Sequence, residues 1–126
     1  MDKPKVLIVE DNQINALVLR RSIESVCHPI IASNDEETFQ AVEEESAISL
    51  ILMDINLGGK SMTGEEIMRV LRRDDRFRHI KIFAVTSYAM PGDRERFLEA
   101  GFDSYFAKPI DREEIVHGIR QVVAAA

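Results

Sequence analysis

The sequence predicts an α/β domain, a doubly wound five-stranded parallel sheet with five helices in a three-layer sandwich. Two observations predict it. Short apolar runs alternate with amphipathic segments along the whole chain. The runs are apolar at consecutive rather than alternate positions, as expected of strands covered on both faces, and they are joined through helical segments. Right-handed crossovers then put helices on both sides of the sheet. No low-complexity linker, tandem repeat or composition break divides the 126 residues, so residues 1–126 read as one domain.

Lys5–Val9 is apolar, rich in β-branched residues and too short for an independent helix, so it reads as the first strand. From residue 12 to about 26, Ala16, Leu19, Ile23 and Val26 form a helical stripe. Residues 29–32 give the second strand. Ser33, Asn34 and Asp35 offer N-cap chemistry for a helix carrying Phe39 and Val42. Residues 49–54 form the third strand, almost wholly apolar until its terminal aspartate. A third helix is expected over about 63–73, with Ile67, Val70 and Leu71 inward. Residues 81–85 form the fourth strand. Pro91 suits the first turn of the next helix and Gly101 its C-cap. Residues 104–107 make the fifth strand. Asp111 and Glu114 resemble a capping box for the last helix, where Ile115, Ile119 and Val122 repeat helically.

Composition narrows the function classes. The longest apolar runs, such as residues 6–9 and 50–53, are far too short to cross a bilayer, and the N-terminus is unlike a signal peptide. A cytoplasmic protein without a membrane partner is expected. The single cysteine, Cys27, cannot form an internal disulfide and reads as a small buried apolar group. Net charge is −6 with acids and bases interleaved, and the basic cluster at 69–78 is diluted by Asp74 and Asp75. That argues against a nucleic-acid partner, which needs clustered Lys and Arg.

Ligands of doubly wound sheets bind beyond the carboxyl ends of the strands. There the first strand ends in Glu10-Asp11, the third in Asp54, the fourth in Thr86 and the fifth in Lys108. Taken singly, each is an ordinary polar strand end or helix cap. Their conjunction shifts the reading, because the topology makes neighbours of residues far apart in sequence. Three carboxylates crowded together repel unless a cation joins them, and an oxygen-only set with few protein donors suits Mg²⁺. His28, His79 and His117 are scattered, are expected to face solvent and form no zinc cluster. A carboxylate beside Mg²⁺ and a lysine can act as a nucleophile towards phosphorus, forming an aspartyl phosphate.

These pieces resemble the receiver domain of bacterial response regulators. The matching stretches are Val6-Leu7-Ile8-Val9-Glu10-Asp11-Asn12, Leu52-Met53-Asp54, Val85-Thr86-Ser87 and Lys108-Pro109. Spacings of 43, 32 and 22 residues separate Asp11, Asp54, Thr86 and Lys108 in turn. The resemblance implies a flavodoxin-like strand order 2-1-3-4-5 and a two-component signalling switch rather than an enzyme, catalysing its own phosphorylation and slow dephosphorylation. It makes Asp54 the phosphoacceptor, with Glu10, Asp11, Asp54 and the backbone carbonyl of Asn56 around Mg²⁺ (Mn²⁺ as a substitute). Thr86 resembles the switch hydroxyl and Lys108 the lysine that bonds the phosphoryl group, joined to Pro109 by a peptide usually cis in the family. Tyr105 resembles the switch aromatic, or is simply a half-buried strand aromatic. Asn56 and Tyr88 occupy positions that tune phosphoryl lifetime, and a tyrosine screening water implies slow self-dephosphorylation.

The implied partners are a histidine kinase, a histidine phosphotransfer protein or both, and a downstream protein target; the chain itself is expected to be a monomer or weak homodimer. Residues 11–15 and 86–93 look more like phosphorelay and hybrid-kinase receivers than transcription-factor receivers. The chain stops at Val122-Val123-Ala124-Ala125-Ala126, leaving no expected DNA-binding output domain, so a surface over about 91–123 should carry output. Met90, Phe97, Phe102 and Phe106 lie in or near that surface, and most are expected to be core. One segment departs from the family. Many receivers reach a glycine eight residues after the acceptor, whereas the matching glycine here is Gly64, ten on. A two-residue insertion with the flexible pair Gly58-Gly59 is implied, bringing Lys60 towards the phosphoryl group.

Two enzymatic rivals fit less well. Gly59-Lys60-Ser61 resembles the end of a P-loop, but the glycine required five residues earlier is Asp54. A haloacid-dehalogenase-like phosphatase would carry Asp-x-Asp on the first strand, where this chain has Glu-Asp. A receiver that no longer phosphorylates, acting only as an interaction module, is a third reading that the altered loop leaves open.

Overall fold

The computed structural model describes residues 3–87 and 90–124. The strands are β1 (Lys5–Val9), β2 (His28–Ala32), β3 (Ile48–Asp54), β4 (Lys81–Thr86) and β5 (Ser104–Ala107). They alternate with α1 (Gln13–Ile23), α2 (Asp35–Glu44), α3 (Gly64–Arg73), α4 (Asp93–Ala100) and α5 (Arg112–Ala124). All strand pairs are parallel, in the order β2-β1-β3-β4-β5. This is the predicted doubly wound sheet.

Side chains of a strand alternate between faces, so each central strand feeds two cores. Leu7 and Val9 of β1, Ile51 and Met53 of β3, and Ile82 and Ala84 of β4 point towards α2, α3 and α4, where Val42, Ile67, Met68, Leu71 and Phe97 meet them. Val6, Ile8, Leu50, Leu52, Phe83 and Val85 point the other way, onto Leu19 and Ile23 of α1 and Ile115, Val116 and Ile119 of α5. Cys27 is a buried free thiol in this second core, and burial pushes its pKa up to about 11. It is the apolar filler expected. His28, His79 and His117 are exposed, also as expected.

Side-chain caps fix where the helices begin. Asn12 Oδ1 accepts from the Asn15 amide, and Asn34 Oδ1 from the Glu37 amide, both at 2.9 Å. Thr63 and Glu66 close a full capping box on α3. Asp111 Oδ1 accepts from the Glu113 and Glu114 amides ahead of α5.

Three expectations need correction. Helix α1 stops at Ile23, so Val26 packs half-buried from the turn that follows it. Val70 does not face inward; it is 43% exposed, and Met68 takes the inward place. Pro91 is not in the first turn of α4, because Gly92 takes a left-handed φ of 89° as N-cap and helical geometry starts only at Asp93. Gly101 is the C-cap as predicted.

Candidate functional site

Parallel pairing lines up the carboxyl ends of the strands, and the polar residues collect there. Val9 pairs with Met53, Asp54 with Val85, and Thr86 with Ala107. Glu10 therefore follows β1 directly, Asp54 and Thr86 end β3 and β4, and Lys108 follows β5. Backbone bonds continue the sheet past these ends: Glu10 N donates to Ala32 O at 2.9 Å and Lys108 N to Thr86 O at 2.8 Å. These polar side chains thus stand on backbone that continues the sheet's hydrogen bonding.

Glu10 and Asp54 are each 5% exposed and Thr86 is fully buried, whereas Asp11 and Asn56 are exposed. Lys108 Nζ donates to Glu10 Oε1 at 2.6 Å and lies 3.3 Å from Asp54 Oδ2. The Asn12 amide donates to Glu10 Oε2 and the Asn56 amide to Asp54 Oδ1, both at 3.2 Å. Glu10, Asp11 and Asp54 each offer an oxygen, all within 4.8 Å of one another.

The electrostatics follow from this crowding. Burial, then the neighbouring Glu10 carboxylate, pushes Asp54 up to about 7 despite Lys108 and the Asn56 amide. Burial also pushes Glu10 up, but the bonds from Lys108, Asp54 and the Asn12 amide outweigh it and leave its pKa lowered. Asp11 is raised by burial and by Glu10. Lys108 is pulled down by burial, yet its two carboxylate partners leave it raised and firmly cationic. Three carboxylates face one lysine, an excess of negative charge that an oxygen-seeking divalent cation fits.

Of the sequence-predicted residues, the structure brings together Glu10, Asp11, Asp54, Asn56, Thr86 and Lys108. The Lys108–Pro109 peptide is cis. Tyr105 is half-buried, its ring stacked on Phe97 at a 5.8 Å centroid distance, and burial and then Asp93 raise its pKa. Tyr88 lies outside the described residues. Lys60 is exposed on the loop after β3. Of the four apolar residues near the output surface, Phe97 and Phe102 are core, Phe106 packs beside Phe83, and Met90 is exposed.

Sequence reasoning missed two features. Ile14, Leu17 and Val18 form an exposed apolar face on α1, next to a groove of about 410 Å³ that Glu10, Val18, Ser87, Lys108 and Ile110 help to line. The signal was available: these residues lie off the Ala16, Leu19, Ile23 stripe. The other feature is a set of bonds from Asp35 to Ser61 and Met62, which no periodicity announces.

Residues 6–120 match the family model for the response regulator receiver domain. The chain belongs to this family. As a receiver, it is 36% identical over 121 residues to the polar-differentiation response regulator DivK of Brucella anthropi, covering 96% of this chain and 97% of that protein. The receiver domain of sensor histidine kinase PA1611 from Pseudomonas aeruginosa, solved with magnesium coordinated in its active-site cleft, superposes with a TM-score of 0.83 at 28% identity, covering 97% and 98% of the two chains. A putative response regulator from Chloroflexus aurantiacus, 22% identical, shares the receiver fold with a TM-score of 0.87 over 98% of this chain and 99% of its own. Among the described residues no helix is long and apolar enough to cross a membrane.

Proposed function

We propose that residues 1–126 act as one phosphoacceptor switch, in which Asp54 accepts a phosphoryl group from a phosphohistidine donor. The supporting observation is the placement of Asp54, buried between a lysine and two further carboxylates at the open edge of the sheet. An ionised Asp54 oxygen attacks phosphorus, an O–P bond forms, and the P–N bond to the donor imidazole breaks. Glu10, Asp11, Asp54 and the Asn56 carbonyl would hold Mg²⁺, which when bound neutralises charge on phosphoryl and carboxylate oxygens. Lys108 supplies the fixed positive charge beside the transferred group. Thr86, fully buried at the end of β4, offers a hydroxyl to a phosphoryl oxygen, and its movement would free space for Tyr105 to turn inward.

The donor, a histidine kinase or histidine phosphotransfer protein, must bring its imidazole to this edge. The groove beside Glu10 and Lys108, with the apolar α1 face flanking it, supports approach from that side. Output is assigned to about 91–123, where Leu98 of α4 and nearby Met90 are exposed. Such a switch works in the cytoplasm, where kinases and phosphotransfer proteins present their phosphohistidines.

Intact mass after incubation with Mg²⁺ and acetyl phosphate tests the reading. One added phosphoryl group is expected, absent without Mg²⁺ and absent in Asp54→Asn. No gain from acetyl phosphate or a phosphohistidine protein, together with no Mg²⁺ binding, would leave a silent interaction module. Tyr88→Ala should shorten the phosphoryl half-life severalfold; an unchanged half-life would remove Tyr88 from the lifetime-tuning set.

A further inference from the structure

The β3–α3 loop, where this chain is two residues longer than many receivers, is tied down. The Asp35 amide, in the first turn of α2, donates to Ser61 Oγ at 3.1 Å, and the Met62 amide donates back to Asp35 Oδ2 at 3.1 Å. Ser61 Oγ donates in turn to Met62 O at 2.9 Å, so its proton is directed away from Asp35 and its lone pair towards it. The Ser61 amide reaches Gly58 O at 3.3 Å, closing a turn over residues 58–61. Gly58 packs on the candidate metal site: a Cβ there would stand 3.3 Å from Asp11 Oδ2.

Gly58 and Gly59 have φ of 67° and 59°. Glycine enters that left-handed region freely and leaves it as freely, so the pair does not fix the turn. The far side of the loop is fixed by the Thr63 capping box and by Gly64 N donating to Ile55 O at 3.1 Å. Between these anchors, Asp35 supplies a hold from another helix.

We propose that Asp35 and Ser61 are positioning residues, a latch from α2 that holds the lengthened loop and its Gly58 backbone against Asp11 and so shapes the Mg²⁺ site. The proposal rests on the reading that Glu10, Asp11 and Asp54 bind that cation. Without the latch the 58–61 turn samples other conformations, and the bound form must be selected from them at a cost in affinity.

The test is a Mg²⁺ titration of the unphosphorylated full chain by calorimetry, with amide exchange at Met62 followed by NMR. Ser61→Ala and Asp35→Ala should each weaken Mg²⁺ binding about three- to tenfold, the size of one or two net hydrogen bonds, and speed Met62 exchange. Ser61→Thr, which keeps the hydroxyl, should bind as wild type does. Val42→Ala, a core change two turns along α2 that touches neither Asp35 nor the loop, should lower the melting temperature and leave Mg²⁺ affinity alone. Unchanged affinity in both latch variants, or an equal loss in Val42→Ala, would overturn the latch while the metal site stands. A wild-type chain that binds no Mg²⁺ would overturn the site and the latch together.

Discussion

A single hydrogen at Gly64 sets how closely α3 approaches the end of β3. A Cβ there would stand 2.2 Å from the Asp54 carbonyl oxygen and 2.9 Å from Met53 Cγ. The nearer atom is backbone, so no side chain can swing aside. Gly64→Ala should therefore cost about 1–3 kcal/mol through overpacking, measured by denaturant unfolding. An unchanged midpoint would show that α3 slides outward freely. This glycine is matched in the sequence only by allowing a two-residue insertion, since it stands ten residues beyond Asp54 rather than the eight common in receivers. Its reason was not legible there, because close approach belongs to two segments and not to either alone. The same contrast runs through the site. Glu10, Asp54, Thr86 and Lys108 were legible because strand ends in a parallel sheet must converge. Asp35 and Ser61, 26 residues apart on two loop edges, carry no pattern that pairs them.

At the scale of elements, helical periodicity located α3 but placed one residue on the wrong side. Ile67, Val70 and Leu71 suit an inward stripe, yet the buried set is Gly64, Ile67, Met68 and Leu71. The buried positions 64, 67, 68 and 71 follow the i, i+3, i+4, i+7 spacing of one helix face, which leaves Val70 at its rim. Met68 fills the space beside Gly101, where a Cβ would stand 3.1 Å from its sulfur. Ile67→Ala should then cost about 2–5 kcal/mol, while Val70→Ala stays within about 0.5 kcal/mol. Comparable losses for the two in urea unfolding would mean that Val70 is packed after all. Helix α1 teaches the converse lesson. Ala16, Leu19 and Ile23 of its expected stripe are buried, but Val26 lies beyond its end, and Ile14, Leu17 and Val18 leave an apolar face exposed that the core-directed periodicity does not announce.

For the whole molecule, the acidic edge makes stability depend on pH and on the cation together. Asp54 has its pKa raised to about 7 from an ordinary 3.8, so between those limits the folded chain binds a proton that the unfolded chain has released. Stability must then fall as pH rises through that window, and level off above it. Asp11, raised by burial and by Glu10, acts in the same sense. Glu10 acts oppositely, but its lowered pKa confines that contribution to pH below its ordinary 4.5. Metal-free protein should thus be most stable near the lower end of the window and lose stability towards neutrality. Asp54→Asn removes the buried charge, should flatten the decline, and should be about 1–3 kcal/mol more stable than wild type at pH 8. Mg²⁺ narrows that gap: at a hundredfold excess over its Kd it should add about 2.7 kcal/mol to wild type. At one fixed Mg²⁺ concentration the gain should be larger at pH 8 than at pH 5, where protons compete for the same oxygens, and smaller in the asparagine variant. Thermal unfolding across pH, with and without Mg²⁺, reads all of these at once. A wild-type profile that is flat without metal would place Asp54 among ordinary surface carboxylates, and a Mg²⁺ gain equal in the two chains would remove it from the metal's ligands.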